Sequence, residues 1–234
     1  MAYGRRVTRT VPVVASSLVA GLLDRDESAG VVRLVEVART RLAVHYETGR
    51  CDVPVLCVCT PDAVRLPASV VVPVLPALRS GATSGWRVVR WWRPPRPRGL
   101  TPPAVVPRSA LDGIRPDDLV GRGPGLTPSG DDVLAGALVA AHAVDHPALP
   151  EWIERTRRTL GTRSTTAVSR GLLQHALEGW AVPQLADYLE AVCGGSAGQQ
   201  VARARLLAVG HSSGAALAAG ADHALATALR EVAA

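Results

Sequence analysis

Residues 121–144 read GRGPGLTPSGDDVLAGALVAAHAV and contain the clearest fold signal in the chain. Glycine and proline dominate the first half, which predicts a loop, whereas the second half is an apolar run of helical length. Together they predict a glycine-rich turn that enters a buried helix at Ser129. The sequence on the two sides of this turn differs in character, and that difference indicates the fold class.

Short Val-rich runs precede the turn, and β-branched residues bounded by Gly, Pro, Asp and Ser predict strands. These runs are residues 31–37, 41–46, 53–59, 70–75 and 86–92. Helical periodicity follows the turn and predicts helices over residues 129–144, 151–160, 164–180, 184–192, 199–209 and 212–232. We therefore expect an α+β chain, with a mostly antiparallel N-terminal β unit followed by a C-terminal α-helical bundle.

A proline-rich segment marks the expected boundary. Residues 93–107 hold six prolines, which remove backbone donors and favour extended chain. The sequence thus predicts a β-rich region over residues 1–110, with a linker at 93–107, and a helical domain over residues 111–234.

Composition is that of a globular protein. The 234 residues are 47% hydrophobic and 20% charged, which excludes a wholly disordered chain. No run of 18 uncharged apolar residues occurs, so we expect no membrane-spanning helix. The net charge is +6, and all 26 basic residues are Arg because the chain has no Lys. Absence of Asn and Phe as well indicates a GC-rich genome, so the charge is only weak support for an anionic ligand or an acidic partner subunit.

Two features bear on the cellular compartment. Three arginines before the apolar stretch 11–23 imitate a signal peptide, but Pro12 interrupts the stretch and acidic residues follow it directly. We therefore predict a cytoplasmic protein, with export as the alternative. The four cysteines form no CxxC pair or zinc spacing, which favours buried thiols over a redox or metal role. They are Cys51, Cys57, Cys59 and Cys193.

The glycine-rich turn has the properties of an anion site. Helix N-termini offer unpaired N–H groups and a positive dipole end, and glycines allow close approach of a ligand. Thr127 and Ser129 add hydroxyl donors. Asp131 and Asp132 would repel a bare phosphate and fit better beside a metal, a cation or an amide group of the ligand. In the alternative interpretation Ser129 is an N-cap, Asp132 completes a capping box, and the loop has no ligand.

Two later helix starts are similar in composition. Residues 162–166 read TRSTT and residues 210–214 read GHSSG, so each places hydroxyls at a helix N-terminus. Either could be ordinary capping, but the three turns could also converge on one site. His211 lies in the last of them and is the candidate acid or base, with an exposed turn histidine as the equal alternative.

Residues 123–132, followed by the small-residue helix 133–138, resemble the signature of a known family. That family includes the AllH-type subunit of oxamate carbamoyltransferase, from anaerobic allantoin breakdown, and was long a domain of unknown function. Members typically read Gly-x-Gly-Pro-Gly-Leu-Thr-Pro-Ser-Gly-Asp-Asp, and this chain matches from Gly121 to Asp132. The resemblance extends more loosely to the later turns and to the N-terminal half, whereas the Arg/Trp/Pro linker departs from it.

The resemblance implies a subunit of a multi-subunit enzyme that works on carbamoyl phosphate, oxamate or oxalurate. From the residues we predict no cofactor and assign no metal ligand, and metal dependence stays open. Helix N-termini with Arg122 or Arg163 would hold the phosphate, and Asp131 or Asp132 would accept from the carbamoyl NH2. The predicted catalytic residues are His211, Asp131 and Asp132. The predicted substrate-binding residues are Arg122, Gly123, Gly125, Thr127, Ser129, Gly130, Arg163, Ser164, Thr165, Ser212 and Ser213.

Other functions remain open. The chain could instead be a non-catalytic assembly module of a multi-subunit enzyme. Residues 86–98 mix Trp and Arg as single-strand nucleic-acid binders do, although an amphipathic edge strand followed by a stiff segment explains them better. His142 and His146 have the spacing of a helical metal pair, but the sequence offers no third ligand.

Overall fold

The computed structural model describes residues 10–23, 34–76, 86–103, 111 and 113–232. Internal contacts divide the chain into two compact units, Met1–Arg93 and Pro94–Ala234. The first holds the strands and the second holds the long helices, which confirms the predicted α+β fold class.

The described residues of the first unit form a six-stranded mixed sheet. Its strands are β1 (Val11–Ser16), β2 (Val35–Arg39), β3 (Ala43–Glu47), β4 (Val55–Cys59), β5 (Ser69–Val71) and β6 (Trp86–Trp92). The order across the sheet is β2-β3-β4-β5-β1-β6. The β2–β3, β3–β4 and β1–β5 pairs are antiparallel, and the β4–β5 and β1–β6 pairs are parallel. The sheet is therefore mostly antiparallel, as predicted.

The burial of the strand residues agrees with the position of each strand in the sheet. Every residue of β4 is buried, as expected for a strand in the middle of a sheet that is covered on both faces. Tyr46, Leu56 and Val58 pack on one face together with residues of the short segment that follows β1, which is a 3-10 turn (Ser17–Val19) and helix α1 (Ala20–Leu23). Cys57 and Cys59 lie on the opposite face and are free buried thiols as predicted, whereas Cys51 is exposed and Cys193 is half-buried.

The first strand is not expected from the sequence. In the sequence, the apolar stretch 11–23 imitates a signal peptide and is not among the predicted strands, whereas residues 11–16 form a strand between β5 and β6. The first predicted strand, 31–37, overlaps β2, and its residues 31–33 lie outside the described ranges.

The second unit contains seven helices within its described residues. They are α2 (Pro116–Leu119), α3 (Ser129–Ala143), α4 (Leu149–Thr162), α5 (Ala167–Ala176), α6 (Pro183–Cys193), α7 (Gln199–Leu207) and α8 (Ser213–Val232). All six predicted helices are present. Left-handed residues lie just after two helix ends, Asp145 after α3 and Gly195 after α6.

Helix α3 is the centre of this unit. Its residues 130–143 are all buried, as expected for a helix that is apolar on every side. Helix α8 packs along it through glycines: a Cβ on Gly136 would overlap Leu217 O, and a Cβ on Gly220 would overlap Val133 O. The small residues noted in the sequence therefore let two backbones touch.

A buried polar cluster joins α6, α7 and α8. Tyr188 is buried and its hydroxyl donates to Asp222 Oδ1. Arg203 Nη1 donates to Asp222 Oδ2 over 3.0 Å and to Tyr188 Oη over 3.0 Å. Burial and the Asp222 carboxylate both raise the pKa of Tyr188, so the phenol stays protonated and acts as a donor.

The first residues of the proline-rich segment contact the helical unit. Pro95 O accepts from Ala181 N, Arg96 Nε donates to Glu178 O over 2.6 Å, and the Arg96 guanidinium lies over the Trp180 ring. Contacts therefore place residues 94–101 with the helices, whereas the sequence predicts a linker over 93–107; residues 104–107 lie outside the described ranges.

Among the helices of the described ranges, none combines the length and the apolar character needed to cross a membrane.

Candidate functional site

The three turns singled out in the sequence meet in the helical unit. Thr165 Oγ1, just before α5, donates to Asp131 Oδ2 over 2.5 Å. Thr166 Oγ1 donates to Leu126 O over 2.6 Å. Thr127 Oγ1 lies 2.9 Å from Ser213 Oγ, at the start of α8. We call this meeting of residues 121–132, 162–166 and 210–214 the three-turn junction.

Glycines are required where the loop passes close to other backbone. Gly121 has φ 74°, and a Cβ there would overlap Ser164 O. A Cβ on Gly130 would overlap Leu119 O. By contrast, Gly125 has φ 96°, and a Cβ added there would meet nothing within 4 Å, so this glycine is exposed and open to a ligand.

The start of α3 differs from the predicted N-cap. Pro128 occupies the cap position, no side chain caps the helix, and Ser129 is its first residue. The predicted capping box of Ser129 with Asp132 is therefore wrong. Instead the loop folds back, and Arg122 O accepts from Gly130 N–H over 2.9 Å. Asp131 N–H and Asp132 N–H both donate to Pro128 O, so three of the N–H groups that the sequence offers to an anion are already bound within the chain.

Asp131 is a paired carboxylate. Its side chain is 2% exposed, and Oδ1 accepts from Gly121 N–H over 2.8 Å while Oδ2 accepts from Thr165. Charge-assisted bonds of this kind are stronger than neutral ones. Asp131 therefore connects the glycine loop, α3 and the α5 turn.

Asp132, by contrast, has a buried carboxylate oxygen without a hydrogen-bond partner in the described ranges. It is 4% exposed, and its Oδ2 is buried without a hydrogen-bond partner among the described residues. Burial raises the pKa of Asp132 to about 6, the nearby Ser213 and Thr127 hydroxyls lower it, and the Asp131 charge raises it further. A buried carboxyl with an unpaired oxygen that titrates near neutrality is typical of a ligand-binding or acid–base group.

The remaining predicted residues lie at the edge of the junction. Arg122, Arg163, Ser164, His211 and Ser212 are at least partly exposed. Within the described part of the chain, the side chains of Arg122, Arg163 and His211 form no hydrogen bond or ion pair. The structure brings Asp131, Asp132, Thr127, Thr165 and Ser213 together and leaves His211 without a bond to either carboxylate. Ser129 Oγ packs close to Gly123.

The structure adds two residues that the sequence does not single out as site residues. Thr166 caps α5 by accepting from Ser169 N–H, and it also holds the loop through Leu126. Ser169 is 1% exposed, and its Oγ has no partner among the described residues. The hydroxyl run TRSTT is the available signal for Thr166, whereas nothing local indicates Ser169.

The histidines considered as a metal pair have separate partners. His142 Nε2 donates to Leu177 O over 3.0 Å. His146 Nδ1 accepts from Ala148 N–H, so its Nε2 carries the proton and donates to Thr227 Oγ1. In the ranges that the structure describes, no group of three or more His, Cys, Asp or Glu side chains is arranged to hold a metal ion.

The comparison with protein families covers the whole junction. Residues 119–225 match the family described as oxamate carbamoyltransferase subunit AllH. This region belongs to the AllH family. The resemblance seen in the sequence is thereby confirmed for the segment from the end of α2 to the middle of α8. No solved structure matches the chain.

The family that residues 119–225 match is described as a subunit of oxamate carbamoyltransferase. The matched range contains all three turns, both buried carboxylates and the glycine loop, so the AllH family and the three-turn junction occupy the same part of the chain.

Proposed function

We propose that this chain is an AllH-type subunit that binds a small anion with an amide end, of the carbamoyl phosphate or oxamate type, at the three-turn junction and acts in carbamoyl transfer. The unpartnered Oδ2 of the Asp132 carboxylate supports this proposal most directly. A buried carboxylate oxygen without a donor is costly, and a bound NH2 group would supply the missing hydrogen bond.

The two ends of such a ligand have different partners at the junction. Asp132 Oδ2 accepts from the NH2 group. The anionic end faces the exposed Gly123–Gly125 segment and the helix starts of α5 and α8, where dipoles and hydroxyls favour negative charge. Arg122 and Arg163 flank the contact of Gly121 with Ser164. Their guanidinium groups have no partner among the described residues and could bind a phosphate or carboxylate.

Carbamoyl transfer needs little covalent chemistry from the protein. A C–N bond forms between the oxamate nitrogen and the carbamoyl carbon, the C–O bond to phosphate breaks, and the nitrogen loses one proton. Positioning of the two reactants and stabilisation of charge on the carbamoyl oxygen supply most of the rate. Asp131 acts indirectly by holding the loop, and His211 stays a predicted acid or base.

One observation favours the alternative of a non-catalytic assembly module. The loop is tied to its surroundings through Gly121, Arg122 and Leu126, as a purely structural turn would be. Those bonds do not involve Asp132, so substitution of Asp132 distinguishes the two functions.

Calorimetric titration of the full chain tests the proposal. Carbamoyl phosphate and oxamate should bind, sulfate at matched ionic strength should bind at least tenfold more weakly, and Asp132→Asn should lose the difference. Asp187→Asn is the matched control, because Asp187 is an exposed carboxylate on α6. If neither amide ligand binds the wild-type chain more tightly than sulfate, the assembly-module alternative is favoured.

A further inference from the structure

The outer edge of β6 is unpaired within the described part of the chain. Among the described strands, β6 is the last of the sheet and the longest, with seven residues, and it pairs only with β1. Apart from the β1 ladder, no backbone hydrogen bond joins residues 86–92 to any other described part of the chain. One row of N–H and C=O groups is therefore available to a further strand.

The side chains of this edge are cationic and apolar. Arg87, Arg90 and Arg93 are exposed and form no ion pair with described residues. Between them, Val89 is 52% exposed and Trp91 is 40% exposed. No acidic residue occurs in β6 or in its neighbour β1. Free arginines beside exposed apolar groups are typical of a protein-binding edge.

The other sheet edge differs. β2 has five residues, and its Arg39 is already paired with Glu36 over 2.8 Å, so that edge has no free cation from this pair. Of the two described edge strands, β6 is therefore the one whose own arginines have no acidic partner among the described residues.

We propose that β6 docks an acidic extended segment of another protein chain, which adds to the sheet as a seventh strand. Backbone bonds would supply the register, and Glu or Asp side chains would pair with Arg87 and Arg90. A second copy of this chain is a poor occupant, because pairing β6 with β6 would bring arginines together. Nucleic acid is also disfavoured, since a single strand needs several stacking rings and Trp86 and Trp92 are both half-buried.

A β-bulge in β6 favours docking of a specific partner over non-specific edge-to-edge pairing. The register of β1 with β6 shifts between Val13 and Val14, so Val89 is an extra, bulged residue. A bulge with flanking arginines discourages edge-to-edge aggregation, while it leaves the edge open to a complementary strand.

Fluorescence anisotropy of a labelled nonapeptide of alternating Glu and Val tests this proposal, with the full chain as receptor. We expect saturable binding and slower hydrogen exchange of the amides of residues 86–92. A peptide with Pro at its centre should bind at least tenfold more weakly, because Pro removes a donor and bends the strand. The variant Arg87→Gln/Arg90→Gln should weaken binding about tenfold.

The matched control is Arg157→Gln/Arg205→Gln, which removes the same charge from exposed positions on α4 and α7 and should leave the Kd unchanged. Absence of peptide binding, equal binding of the Pro peptide, or exchange protection that excludes residues 86–92 would overturn the proposal. Tighter binding of an oligo(dT) probe, lost in the same Arg87/Arg90 variant, would assign the edge to nucleic acid instead.

Discussion

Two neighbouring isosteric substitutions should change stability in opposite directions. Asp132→Asn removes a buried charge whose Oδ2 has no partner, whereas Asp131→Asn removes a buried charge that accepts two hydrogen bonds. We therefore expect the first variant to be more stable than the wild type and the second to be less stable.

The size of the first effect follows from the pKa of Asp132. Burial raises it from 3.8 to about 6, a difference of roughly 2 units, and each unit corresponds to about 1.4 kcal/mol. Ionised Asp132 therefore costs the folded state about 3 kcal/mol. Burying the Asn amide in its place costs about 1 kcal/mol, so the unfolding free energy of the variant rises by about 2 kcal/mol. For a chain of this size, that gain raises Tm by roughly 4 to 8 °C.

The effect depends on pH with a definite sign. Because the folded-state pKa of Asp132 lies above its unfolded value, its stabilisation is complete below a pH of about 4 and is lost as the pH rises through about 6. The advantage of Asp132→Asn should therefore be about 2 kcal/mol at a pH of about 8 and should become a loss of about 1 kcal/mol at a pH of about 4, where Asp132 is protonated and only the burial cost of the amide remains.

Asp131→Asn should lower the unfolding free energy by about 2 kcal/mol. The amide replaces a charged acceptor, and its NH2 group faces the Thr165 hydroxyl, which then has no carboxylate to donate to. Thermal unfolding followed by circular dichroism at several pH values measures both variants. Loss of stability in Asp132→Asn at a pH of about 8, or a stability difference from wild type that does not vary with pH, would refute the reasoning.

Two further predictions concern the packing of the helical unit. Gly136→Ala should lower the unfolding free energy by about 3 kcal/mol or more, since the methyl group would meet Leu217 O. Gly161→Ala in α4, which has open space around it, should instead raise the unfolding free energy by about 0.5 to 1 kcal/mol. Urea unfolding measures both variants, and equal effects would exclude the close α3–α8 contact. Tyr188→Phe should cost about 1 to 3 kcal/mol because Asp222 loses a buried donor, and a urea midpoint unchanged from wild type would show that the cluster contributes nothing.

The fold class could be predicted because most elements have a regular pattern. Half-buried strands alternate, amphipathic helices repeat every three to four residues, and glycine or proline marks their ends. Strand β1 escaped prediction because the apolar stretch 11–23 continues past Ser16 into the 3-10 turn and α1, so no glycine or proline marks the end of the strand. The parallel β4–β5 pair could not be expected either, since only residues 60–68 connect the two strands and parallel crossovers are usually longer.

The candidate site was predictable only in part. Local composition identified three hydroxyl-rich turns, but the bonds that join them span 34 to 86 residues, which no single sequence reveals. The sequence also could not show that Asp131 is hydrogen-bonded whereas Asp132 Oδ2 has no partner among the described residues. Neighbouring residues of a helix face directions about 100° apart, and only the packing decides which one is paired. The back-folded loop likewise used a donor at Gly130 that the sequence left for a ligand.

The most direct test of the central claim compares carbamoyl phosphate with acetyl phosphate, which has CH3 in place of NH2 and the same phosphate. If Asp132 accepts from the substrate NH2, calorimetry should show the wild-type chain preferring carbamoyl phosphate by at least tenfold, because a site built for a hydrogen bond rejects the analogue that lacks it. The Asp132→Asn variant should bind both ligands about equally. Equal affinity of the wild-type chain for the two phosphates would contradict the assignment of Asp132, even if the junction binds anions.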